Sequence, residues 1–141
     1  MTTTVAPGPI LVVDASCLIE VLTGGRNAEV VRQRLAEDRD HVAPHVGDVD
    51  VLDVIRREHL LGRLDATAAT QAVEDMRLWP GERYGHRLLL HRSWQLRNTV
   101  RGWDATYDAL AEALDAVLVT TDLRLAAASG PACRIEALVP H

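Results

Sequence analysis

Two aspartates stand directly after apolar runs: Asp14 closes Leu11-Val12-Val13-Asp14, and Asp122 closes Leu118-Val119-Thr120-Thr121-Asp122. Either one alone suits a helix cap, because a short carboxylate accepts from the free amides of a first helical turn. As a pair at one sheet edge they repel each other unless a cation or a proton lies between them. Hard divalent cations take oxygen ligands of this kind. Asp104 opens a helix in Trp103-Asp104-Ala105-Thr106-Tyr107-Asp108, where it also suits a cap. Asp50 lies in the first turns after Pro44, where it and Asp48 also suit the positive end of a helix dipole.

The elements that must position these groups alternate. Ile10 to Val13 reads as a buried strand after Pro7-Gly8-Pro9. Ala15 to Leu22 follows as a helix stopped at Gly24-Gly25, and Asn27 caps a second helix with Val30, Val31 and Leu35 inward. His41 to Ala43 is extended and ended by Pro44. Val46, Val49, Leu52, Ile55 and Leu60 approach a 3.6-residue period, which predicts a helix over Val46 to Leu61. Further helices are expected over Ala66 to Leu78, capped by Asp65 or Thr67, over Leu88 to Asn98, and over Asp104 to Leu114. Ala116 to Val119 reads as a second buried strand, Asp122 to Ala128 as a short helix and Arg134 to Leu138 as an edge strand. Strands alternating with helices imply an α/β fold, a mainly parallel sheet with helices on both faces. Ligands of such sheets bind beyond the carboxyl ends of the strands, where Asp14 and Asp122 lie.

In these stretches the sequence resembles the PIN-domain nucleases, specifically the VapC-type toxins of bacterial toxin–antitoxin pairs. The resemblance is carried, in order, by Leu11 to Ser16, Ala43-Pro44-His45 up to Asp50, Trp103 to Tyr107 with Ala109-Leu110-Ala111-Glu112, and Leu118 to Asp122. It spans nearly the whole chain and implies one three-layer PIN-like domain over residues 1–141. It also implies an acidic quartet, Asp14, Asp50, Asp104 and Asp122, holding Mg²⁺ or Mn²⁺, with Ser16 and Thr120 as hydroxyl neighbours. The implied activity is endonucleolytic cleavage of RNA by metal-activated water, leaving a 5′-phosphate. Implied partners are the RNA, a cognate antitoxin whose tail covers the site with a basic group, and a second copy of the chain. One position departs: the family carries Glu where this chain has Asp50, one methylene shorter. That leaves open a PIN domain that binds RNA or antitoxin without cutting, or one acting in RNA maturation. Asp53 and Asp108 are possible substitutes, each fitting a solvated face or a supporting shell better. The antitoxin groove is sought between the first two helices, at Leu18, Val21, Val30 and Leu35, although these residues also read as core.

Composition narrows the alternatives. Hydrophobic residues make up 48% with no Phe, so a core of Leu, Val, Ala and Ile is expected. The net charge of −5 argues against a nucleic-acid partner, but Arg83 to Trp103 holds five arginines, two histidines and no acid. Such a stripe holds phosphates as readily as it solvates a face. No apolar run reaches a bilayer span and Met1 to Pro9 lacks a signal-peptide pattern, so a cytoplasmic protein is expected, with Cys17 and Cys133 as buried thiols. Lys is absent, which removes receiver-domain and P-loop chemistry. Ser16 stands where a haloacid-dehalogenase-like phosphatase needs its second aspartate, no G-x-G-x-x-G follows the first strand, and the histidines lack zinc-ligand spacing.

Overall fold

A computed structural model describes residues 8–140; up to residue 7, the segment read above for a signal peptide lies outside the described residues. Leu11–Val13 forms β1, fully buried, and leads into α1, Ala15–Thr23. Gly24 ends α1 in the left-handed conformation at φ 68°, which glycine adopts without a Cβ clash. α2, Ala28–Glu37, precedes β2, His41–Pro44. α3, Val46–Leu60, and α4, Ala66–Leu78, lead to β3, Glu82–Tyr84. A 3₁₀ turn, Arg87–Leu89, runs into α5, Leu90–Gln95, then α6, Gly102–Leu114. β4, Val117–Thr120, α7, Leu123–Ala127, and β5, Arg134–Ala137, complete the chain.

The sheet has strand order β3-β2-β1-β4-β5, and every pairing is parallel. The chain moves outward from β1 through β2 to β3, then returns past β1 to lay down β4 and β5. Right-handed crossovers therefore put α1–α4 on one face and α5–α6 on the other. Packing agrees: α1 touches α2, α3 and α4, whereas α6 touches α5 and strands β1, β2 and β4. The direction of winding reverses between β1 and β4, which places a crevice at their carboxyl ends. No helix among the described residues is long and apolar enough to cross a membrane.

Several expectations change in detail. β3, Glu82-Arg83-Tyr84, has no aliphatic residue, and only its pairing with β2 makes it a strand. The inner side of α3 is Gly47, Val51 and Ile55, not Val49, Leu52 and Leu60, which are exposed. Asn27 stands at the cap of α2 but spends its amide on Glu20 at 3.1 Å instead of capping. Leu18 is buried, and Val21, Val30 and Leu35 are partly buried against the core, which fits their reading as core residues. Cys17 is buried, while Cys133 is only half-buried.

Candidate functional site

Asp14, Asp50, Asp104 and Asp122 arrive from four places: the end of β1, the second turn of α3, the first turn of α6 and the residue before α7. All four line one cavity of about 270 Å³, together with Ser16, Asp53, Arg57, Arg101 and Trp103. This cavity opens at the carboxyl ends of β1 and β4, where the Asp14 amide also bonds the Val119 carbonyl at 3.0 Å.

Asp14 is the most enclosed of the four, at 6% exposure. Its Oδ2 accepts from the Ser16 hydroxyl at 2.6 Å and from the Thr120 hydroxyl at 2.7 Å. Those hydroxyls in turn accept from the amides of Thr121 and Asp122. Each hydroxyl has one proton, so both protons are committed to Asp14 and the 3.3 Å approach of Ser16 to Thr120 is a contact only. Burial, foremost, pushes the Asp14 carboxyl up to about 6, the charges of Asp104 and Asp122 add to it, and the two hydroxyls oppose it.

The other three carboxylates follow one pattern. Asp50 Oδ2 accepts from the Tyr107 hydroxyl at 3.1 Å. Asp104 Oδ2 accepts from Arg101 at 3.0 Å. Asp122 Oδ1 accepts from the Arg124 amide at 2.9 Å, so this residue caps α7 while facing the cavity. Among the described residues, each of the four thus has one oxygen held by the protein and the other without a protein donor. Burial also raises the Asp50 carboxyl, against the Tyr107 bond. Burial, with the charges of Asp14 and Asp50, holds the Tyr107 phenol well above its usual value, so it remains a donor.

An oxygen-only set, crowded with like charge and with one oxygen of each member free, fits a hard divalent cation in its chemistry. As the side chains stand, no three acidic, His or Cys groups among the described residues converge closely enough to enclose an ion. Arg101 neutralises Asp104 instead. Asp53 lines the same cavity but is exposed and faces Arg57 at 4.0 Å. Asp108 does not line it and is fully buried within α6.

The arginine stripe divides on folding. Arg83 clasps Asp48 and the carbonyls of Met76, Trp79 and Gly81, and Arg92 binds Glu112 at 2.7 Å. Only Arg97 and Arg101 of the five line the neighbouring apolar cleft, stacked over Trp94 and Trp103 at 4.4 and 4.8 Å. In the sequence Tyr107 and Trp103 stand out only as motif letters. Tyr107 was findable, because it lies three residues after Asp104, on the same helical face.

Residues 11–131 match the PIN domain family. Ribonuclease VapC1 of Mycobacterium tuberculosis is 37% identical over 126 residues, covering 89% of this chain and 95% of that protein. Two solved structures share the fold. Mycobacterium tuberculosis VapC20, described as a Sarcin-Ricin loop cleaving toxin, has a TM-score of 0.66 at 15% identity, covering 83% of this chain and 93% of its own. VapBC2 from Rickettsia felis, bound to a DNA fragment from its promoter, has a TM-score of 0.66 at 13% identity, covering 91% of this chain and 98% of its own.

Proposed function

This chain belongs to the PIN-domain family, of the VapC type, and from that premise we propose that it is a Mg²⁺-dependent endoribonuclease acting as the toxin of a toxin–antitoxin pair. The observation that carries the reading is the convergence of Asp14, Asp50, Asp104 and Asp122 on one cavity from four separate elements. Relatives named ribonucleases support the activity. The toxin role rests on the toxin and the VapBC assembly among the similar folds.

In this reading Asp14, Asp50, Asp104 and Asp122 would hold the cation through their free oxygens, and the cation would supply Lewis acidity and a lowered pKa for a bound water. The chain's own groups do the positioning. Ser16 and Thr120 direct both hydroxyl protons to Asp14 Oδ2 and leave Oδ1 as its ligand oxygen. The Arg124 amide does the same for Asp122. Arg101 compensates Asp104 without metal and stands beside the cavity as a cation for the RNA backbone. Arg97, on the adjoining cleft, extends that hold. An antitoxin with a basic group complements the same acidic cavity. Leu88 and Leu90, exposed at 92% and 59% beside that cleft, suit the homodimer that the family implies.

Replacing Asp14→Asn and Asp122→Asn separately is expected to lower Mg²⁺-dependent RNA cleavage at least a hundredfold, measured on total RNA with sequencing of the new ends. Cleavage at the parent rate by both variants overturns the reading. The second reading, a PIN domain that binds without cutting, is favoured by the lack of three converging donors among the described residues and by the short Asp50. Calorimetric titration with Mg²⁺ and Mn²⁺ separates the two: absence of binding at millimolar metal favours the non-cutting domain.

A further inference from the structure

Asp50 is the one member of the quartet with no donor close to it in sequence among the described residues. Asp14 is held by Ser16, two residues on, as well as by Thr120 at the end of the neighbouring strand β4, Asp122 by an amide two residues on, and Asp104 by an arginine three residues away. Asp50, on α3, is held by a residue of a distant element, Tyr107 of α6. The Tyr107 side chain is fully buried. Phenylalanine would fill the same volume without burying a hydroxyl, and a buried hydroxyl is costly unless it is bonded.

The room for that hydroxyl is also specific. A Cβ added at Gly47 would lie 3.3 Å from the Tyr107 hydroxyl oxygen and 3.6 Å from the Ala43 Cβ. Gly47 lies in the first turn of α3, on the buried side, three residues before Asp50. Glycine in a helix is less favourable than alanine. A glycine therefore stands where helix formation disfavours it and where a methyl group would crowd the phenol oxygen.

We propose that Tyr107 is a positioning residue for the metal site: seated in the space left by Gly47, its hydroxyl holds one oxygen of the short Asp50 carboxylate and leaves the other to the divalent cation. This rests on the metal-site reading above and adds to it the device that fixes the member standing where the family carries glutamate. Removing a hydrogen-bond partner of a metal ligand commonly weakens metal binding 10- to 100-fold.

The test is calorimetric titration of the purified full chain with Mn²⁺, for the parent, Tyr107→Phe and Gly47→Ala, with melting temperatures of the metal-free proteins recorded alongside. Tyr107→Phe is expected to weaken Mn²⁺ binding about tenfold, and Gly47→Ala to weaken it in the same direction by crowding the hydroxyl. A packing role alone would lower the melting temperature and leave Mn²⁺ affinity unchanged. That result, with the parent binding Mn²⁺, overturns the assignment of Tyr107 and leaves the metal-site reading standing. A parent protein that binds no Mn²⁺ at millimolar concentration overturns both.

Discussion

Asp108 is the residue whose surroundings conflict most with its chemistry. It is fully buried in α6, and among the described residues its Oδ2 has no hydrogen-bond partner and its Oδ1 meets only the Cys133 thiol at 3.9 Å. Burial, first, and then the charges of Glu112, Asp104 and Asp14 raise its carboxyl to about 7. Because the folded pKa exceeds the unfolded one, the native state binds the extra proton between about pH 4 and 7. Its contribution to stability is therefore complete below about pH 4 and lost as the pH rises through 7. Asp14, raised to about 6, acts with the same sign. Asp108→Asn, which cannot ionise, should exceed the parent in stability by about 1–3 kcal/mol at pH 8, with the difference closing by pH 4. Metal-free urea denaturation at the two pH values checks this, and equal midpoints at pH 8 would contradict it. The burial of Asp108 could not be read from the sequence. The segment Ala105–Ala111 is buried on every side, so the periodicity that identifies an inward face is absent there. Asp14 and Asp122 were legible for the opposite reason, since each follows an unmistakable apolar run.

At the scale of elements, α3 shows where pattern reading succeeds and where it fails. Its existence and length were legible from apolar residues over Val46–Leu60. Its orientation was not, because apolar residues occur on more than one side of it. α3 packs on α1 and α4 through positions four apart, with Val51 at 0% exposure and Ile55 at 2%. Leu52, 51% exposed, lies at the rim of that interface. Ile55→Ala is expected to cost about 2–5 kcal/mol through the cavity it leaves, whereas Leu52→Ala should stay within about 0.5 kcal/mol. Urea midpoints distinguish this face from the one suggested by the Val49–Leu52 spacing; equal losses would reject it. The same orientation puts Asp50 over the cavity, so the stability test and the site share one helix rotation. β3 is not legible in the sequence because a parallel edge strand of three residues is too short to show a period and is defined by its partner β2.

For the whole molecule, the question is how an acidic chain of net charge −5 holds a polyanion. Overall charge repels RNA at long range, so attraction must come from a local cluster and be short-ranged at physiological salt. Folding selects that cluster. Arg83 is withdrawn into the clasp on Asp48 and three carbonyls, while Arg97 stays on the cleft beside the acidic cavity, with only the Trp94 carbonyl and ring as partners among the described residues. The two arginines look alike in sequence and should behave differently in solution. In an Asp14→Asn background, which separates binding from cleavage, RNA affinity should fall with rising salt. Arg97→Gln should reduce that slope by about 0.7, the share of a single phosphate on single-stranded RNA. Arg83→Gln should leave the slope unchanged and lower the urea midpoint, because the Asp48 and carbonyl partners lose their donor. Binding isotherms at several salt concentrations, with denaturation of the same proteins, read both effects. A slope lowered by Arg83→Gln and untouched by Arg97→Gln would move the RNA path off the Trp94 cleft and onto the β3 edge of the sheet.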